Sequence, residues 1–104
     1  MNGIIRVIED WLIIVDDMNY IPAKDTHRTR VVERRGEEPS EEPVYDFRAY
    51  YTDLLGALQF IRAEAIRARL QGADRTLNEA LHIIRTANDE FSELLKKAMQ
   101  EGTE

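Results

Sequence analysis

The chain contains no cysteine. Disulfides, iron–sulfur clusters and thiolate zinc sites are therefore excluded, and the compartment's redox state leaves no mark on the sequence. Histidine and serine are nearly as scarce: His27, His82, Ser40 and Ser92 are the only ones. Neither serine sits in a Gly-x-Ser-x-Gly nucleophile turn, and the five glycines are too scattered to form a phosphate-cradling loop. The longest apolar run is five residues, Trp11 to Val15, against the ~20 that a membrane-spanning helix needs. The opening MNGIIRVIEDW has no basic segment and meets two acids by Asp10, so it does not read as a signal peptide. A membrane is not an expected partner, and the cytoplasm is the expected compartment. Lysine is rare beside arginine, three against eleven, which carries no mechanistic meaning by itself.

What is present is 104 residues, 43% hydrophobic and 33% charged, with a net charge of −6. That length fits a single domain, residues 1–104, with enough chain for a core. An acidic domain repels phosphate backbones, so general nucleic-acid binding is disfavoured unless a local basic patch overrides it.

The first half reads as strand. IIRVI (4–8) and WLIIV (11–15) are β-branched and aliphatic around the acidic pair Glu9-Asp10, which suggests a hairpin, although Glu-Asp is not a favoured primed-turn pair. Asp16-Asp17 and the following Asn and Pro suggest a turn and a short strand that Pro22 ends or places at an edge. HRTRVVER (27–34) alternates loosely and sets Arg28, Arg30, Val32 and Arg34 on one face. VYDFRAYY (44–51) alternates clearly, with Tyr45, Phe47, Ala49 and Tyr51 together. Between them lies GEEPSEEP, broken by Gly36, Pro39 and Pro43, and read as a mobile acidic loop over 36–43.

From Thr52 the period becomes helical. Leu54, Ala57, Leu58, Ile61, Ala65 and Ala68 form one stripe; Leu55, Ile66 and Leu70 form a second. Thr52 is the expected N-cap, and Gln71-Gly72 the expected stop. Thr76-x-x-Glu79 is a capping box opening a second helix. Its stripe runs through Leu77, Ala80, Leu81, Ile84, Ala87, Phe91, Leu94, Leu95 and Ala98. A helical hairpin over 52–100 would leave 101–104 as a frayed tail. The expected fold is α+β: a small antiparallel β-sheet of about four or five strands, residues 3–51, covered on one face by two antiparallel α-helices, 53–70 and 76–99. The expected core is Ile4, Val7, Leu12, Ile14, Phe47, Leu54, Leu58, Ile61, Leu81, Ile84, Phe91 and Leu95.

Few residues suggest chemistry. Adjacent acids at a turn diverge into solvent, whereas acid–base work needs two groups converging on a substrate. Asp16-Asp17 also lacks calcium-loop spacing. Glu79-x-x-His82 occurs once, on a polar helix face, where a di-iron bundle needs it twice. No catalytic residue, metal ligand or cofactor is therefore expected, and the chain does not read as an enzyme. Charge remains: Glu37, Glu38, Glu41 and Glu42 in the loop, with Arg28, Arg30, Arg34 and Arg48 on the flanking strands, form the candidate partner-binding set. Arginines with Tyr45, Phe47, Tyr50 and Tyr51 could stack single-stranded nucleic acid; the plainer reading is strand arginines pairing with acids such as Asp46.

EDWLIIVDDMNYIP (9–22), YYTDLLGAL (50–58) and the amphipathic helix opened by Thr76-Leu77 together resemble a group of small proteins of bacteriophages and prophages. Those proteins read as strand-rich in the N-terminal half, with a Y-Y-x-x-L-x-x-A-L helix start and two C-terminal helices. The resemblance implies an accessory protein that acts by stoichiometric binding, with no catalytic residue to carry over. The acidic GEEPSEEP stands where that group has a basic hairpin. Three functions follow as expectations. The first is a non-enzymatic factor that binds a protein partner or itself, as a homodimer, with the Ile4–Ile8 edge as docking element. The alternatives are a nucleic-acid binder using the arginines, and an acidic inhibitor or decoy of a basic host protein.

Overall fold

The computed structural model describes residues 2–101, with side chains described through Lys97. The side chain of the stripe position Ala98, and the expected tail apart from the backbone of Glu101, fall outside what is described. The architecture is α+β: four strands, β1 (Gly3–Ile8), β2 (Trp11–Val15), β3 (Tyr20–Val32) and β4 (Ser40–Phe47), then two helices, α1 (Leu54–Leu70) and α2 (Leu77–Glu101). The strands form one antiparallel sheet in the order β1-β2-β3-β4. The chain divides into two compact units, residues 1–58 and 59–104.

Local chemistry explains each turn. Glu9 takes a positive φ of 54° at the β1–β2 turn, a conformation that L-residues other than Asn and Asp rarely accept. The hairpin forms despite this unfavoured pair because apolar β1 and β2 pair from Gly3↔Val15 to Ile8↔Trp11. At the next turn the Asp16 carboxylate accepts from the Met18 and Asn19 amides at 2.8 and 2.6 Å. That Asx geometry is the turn role expected of an aspartate there.

The inner strand departs from the sequence reading. The short strand before Pro22 and the strand read over 27–34 are not two strands but one, β3, which ends at Val32 and has a register break between Asp25 and Thr29. Pro22 neither ends it nor lies on an edge strand; it is fully buried and pairs with Ile13. The missing N–H is tolerated because β4 ends one pair earlier, at Ala23↔Phe47, and only Arg48 N reaches the Pro22 carbonyl, at 3.0 Å. Residues 48–50 lie outside the strand, and Tyr51 returns as an isolated bridge to Tyr20. At its other end β4 begins at Ser40. Half of the acidic run is therefore strand: Glu41 opposes Val31 and Glu42 opposes Arg30. The connecting loop is 33–39, not 36–43, and turns through Gly36 at a φ of 85°.

The helix signals need small corrections. Asp53, not Thr52, caps α1: its carboxylate accepts from Gly56 N at 2.6 Å. Gly72, at φ 91°, follows the end of α1. Thr76 caps α2 as expected, its hydroxyl accepting from Glu79 N at 3.2 Å and lying 3.2 Å from the Glu79 carboxylate.

Burial is where expectation and structure differ most. Leu12, Ile14, Ile61 and Phe91 are buried as expected, and Val7, Leu58 and Ile84 are half-buried. Ile4, Phe47, Leu54, Leu81 and Leu95 are exposed instead. Trp11, Ile13, Ile21, Ala23, Ala57, Ala65 and Ala87 are buried. At about 100° per residue, the covered centre of α2 runs through Ala80, Ala87, Phe91 and Leu94. Leu77, Leu81 and Leu95 sit ~60° or more to one side of that line, which accounts for their exposure.

Candidate functional site

Register decides which side chains share a surface. Ile4 opposes Ile14, Ile14 opposes Ile21, Leu12 opposes Ala23, and Ala23 opposes Phe47. Directly opposed residues point to the same face of a sheet, so these six project together. Leu12, Ile14, Ile21 and Ala23 form a buried cluster against which Tyr45 packs. The other face carries Trp11, Ile13 and Pro22, all buried. Lys24 Nζ lies 5.3 Å from the Trp11 ring centroid there, a cation–π pair between directly opposed residues.

The first face is buried at its centre and open at its end. Ile4 keeps 48% of its surface exposed, Phe47 54% and Tyr50 65%. Together with Ile14, Ile21 and Tyr45 they line a concavity of about 560 Å³. Asp16, Arg30 and Glu42 also line it. Two of these are already engaged: Asp16 holds its turn amides, and Glu42 Oε1 accepts from Arg34 at 2.6 Å.

At the far end of the same face, charged groups tie β1 and the β1–β2 turn to β3. Arg6 Nη1 donates to Asp25 Oδ2 at 3.0 Å, while Asp25 Oδ1 accepts from His27 N at 2.9 Å. His27 Nε2 lies 2.6 Å from Asp10 Oδ1. His27 itself sits at φ 59°, inside the register break of β3. The hydrogen bond and charge of Asp10, then the charge of Asp25, raise the His27 pKa above its ordinary value. The His27 amide and then the Arg6 guanidinium hold the Asp25 carboxyl below the usual carboxylate range. The hydrogen bond to Asp25 raises Arg6 in turn.

The charged residues singled out in the sequence are dispersed. Glu37 and Glu38 are exposed in the turn of the β3–β4 hairpin. Arg30 on β3 opposes Glu42 on β4 beside Glu41, and Arg34 in the connecting loop pairs with Glu42. Arg28 is exposed, and its amide donates to Thr26 Oγ1 at 3.3 Å. Arg48 stands apart past the end of β4 and pairs with Asp46 at 2.8 Å. Opposite charges are therefore interleaved, and neither a uniformly basic nor a uniformly acidic face results. Among the described residues no group of three or more His, Asp or Glu is placed to hold a metal ion, and no helix is long and apolar enough to cross a membrane.

From the sequence Phe47 is an expected core residue and Tyr50 an aromatic of its strand; the open face they form is not legible there. The signal was present in the alternation of 44–51, but its meaning depends on where β4 stops and on the Ile4↔Ile14↔Ile21 ladder. No protein-family model matches the chain, and neither a search of curated proteins nor one of solved structures returns a match.

Proposed function

We propose that the chain is a non-enzymatic accessory protein, of the bacteriophage or prophage type its sequence resembles, that works by binding protein. The observation that carries this reading is the open sheet face: Ile4, Phe47 and Tyr50 stay in water around a concavity of about 560 Å³. Clustered exposed apolar side chains with a polar rim mark interaction surfaces far more often than scattered ones do. Aromatic residues at the centre of such a patch supply large contact area at little conformational cost. The carboxylates at the rim support binding over catalysis, because Asp16 and Glu42 already satisfy backbone amides and an arginine.

The other two readings draw less support. A nucleic-acid surface needs unneutralised cations, yet Arg34 and Arg48 are paired with carboxylates. A decoy of a basic protein would rest on Glu37 and Glu38, since Glu42 is paired with Arg34. The test is capture of partners by the immobilised wild type and by the Phe47→Glu/Tyr50→Glu double variant, with the fold checked by circular dichroism. Retention of a stoichiometric partner, or of the chain itself, by the wild type alone is expected. Equal retention by both, or retention by neither, contradicts the reading.

A further inference from the structure

Helix α2 has a second apolar line beside its covered one. Leu77, Leu81, Ile84, Asn88 and Leu95 fall within about 60° of arc on its surface. Steps of four, three and four residues from Leu77 to Asn88, continued through Phe91 to Leu95, make the a/d heptad pattern of a helix that packs along another helix. Yet Leu77, Leu81 and Leu95 are 74%, 39% and 43% exposed. Ile84 and Asn88 are half-buried, and with Ile66, Leu70, Arg62 and Arg67 of α1 they line an open groove of about 450 Å³. These residues all belong to the compact unit 59–104, and none of them lines the sheet-face concavity. The Arg69–Glu90 ion pair, at 2.6 Å, ties the two helices that form the groove walls.

The groove is charged opposite to the chain. No acid lines it, although the net charge is −6. Glu64 neutralises Arg67. Arg62 in the groove and Arg85 beside Ile84, an e position of the heptad, are exposed and form no ion pair among the described residues. We propose that the groove holds an α-helix of another protein, apolar along one face and acidic along the flanks of that face, laid against α1 and α2 as a third helix. This surface goes beyond the sheet face and does not depend on it. A helix fills the channel between two packed helices, and its apolar face meets Ile66, Ile84 and Leu81. Its flanking carboxylates meet Arg62 and Arg85. Asn88, a polar residue at an a position, takes a polar residue opposite and so fixes the partner's register. Charge also selects against other occupants. Two copies joined groove to groove would set arginine against arginine, and a phosphate backbone would find two free cations over an apolar floor. Screening confines the attraction to about 8–10 Å, so the local arginines decide it and not the net charge.

The probes are two labelled peptides of about 21 residues, three heptads with leucine at a and d. One carries glutamate at every flanking position and the other lysine. Each is titrated by fluorescence anisotropy against the full chain as wild type, Leu81→Glu, Arg62→Glu/Arg85→Glu and Phe47→Glu/Tyr50→Glu. The wild type should bind the glutamate peptide roughly tenfold more tightly than the lysine peptide, with an affinity that falls as salt is added. Reversing both arginines should exchange the preference, which misfolding would not do. Leu81→Glu should abolish binding of the glutamate peptide, and Phe47→Glu/Tyr50→Glu should leave it unchanged. Equal binding of the two peptides, binding of neither, or a preference that survives the double reversal overturns the proposal. Loss of binding in Phe47→Glu/Tyr50→Glu overturns it too, by assigning the peptide to the sheet face. A light-scattering mass of the free chain above 12.1 kDa that Leu81→Glu returns to the monomer value assigns the groove to a second copy and has the same consequence. Partner capture through Phe47 and Tyr50 is read separately, so either surface can fail without the other.

Discussion

At the scale of single residues, two positions carry conformational cost with visible purpose. His27 adopts a left-handed backbone that costs an L-residue roughly 1–2 kcal/mol, and its ring and amide join Asp10 to Asp25. Because the folded His27 pKa is raised, its contribution to stability is complete below the unfolded value of about 6.5 and fades as pH rises through the folded value. Asp25 acts in the opposite sense: its depressed pKa gives a contribution present above the ordinary carboxylate value and lost as pH falls. The wild-type melting temperature should therefore decline on going from mildly acid to alkaline pH, and His27→Asn should flatten that limb. Asparagine is chosen because it tolerates the left-handed conformation without the titratable ring. Gly56 is the second position. Alanine in a helix ordinarily gains ~1 kcal/mol over glycine. Here its Cβ would lie 2.9 Å from Tyr51 Cδ1 and 3.1 Å from the capping Asp53 oxygen. Tyr51 cannot simply withdraw, because its N and O bond Tyr20 at 3.0 and 2.7 Å. Overpacking of this kind costs about 1–3 kcal/mol, so Gly56→Ala should lower the denaturation midpoint rather than raise it.

At the scale of elements, boundaries set by a local signal were legible in the sequence and those set by a neighbour were not. Thr76, Glu79 and Gly72 mark helix ends through their own hydrogen bonds and dihedrals, so α2 opens where its capping box says. The α1 start shifted by one residue because Thr52 and Asp53 are both competent caps, and only geometry chooses. Asp53→Ala should cost about 1 kcal/mol in chemical denaturation, and Thr52→Ala close to nothing. The place of Pro22 is not legible in the sequence, for the opposite reason. Whether a proline's missing donor matters depends on where the adjacent strand stops, and nothing near Pro22 records that β4 ends at Phe47. The same ignorance hid the open face: alternation gave Phe47 a side of the strand but not an exposed end of it. The acidic run also splits by partner. Deleting 37–39 removes only turn, and the folded spectrum should survive. Extending the deletion to Glu42 removes residues paired with Arg30, Val31 and Val32. That should release protection of the outer hairpin in hydrogen exchange while the Leu12–Ile21 cluster stays protected.

At the scale of the whole molecule, composition excluded much and located little. Missing cysteine, scarce histidine and net negative charge narrowed the chemistry, but no sum of charges says which surface is used. Glu37, Glu38, Glu41, Glu42, Arg28, Arg30, Arg34 and Arg48 are interleaved or paired, whereas Ile4, Phe47 and Tyr50 lie together in water. The central claim is that contact is made by this apolar sheet face and not by the acidic hairpin. Backbone-amide NMR of the isotope-labelled chain, free and in complex with what it retains, decides between them. Shifts and broadening centred on Ile4, Tyr45, Phe47 and Tyr50 are expected, with Glu37 and Glu38 little changed. Perturbation confined to residues 33–42, with the sheet face silent, would contradict the account.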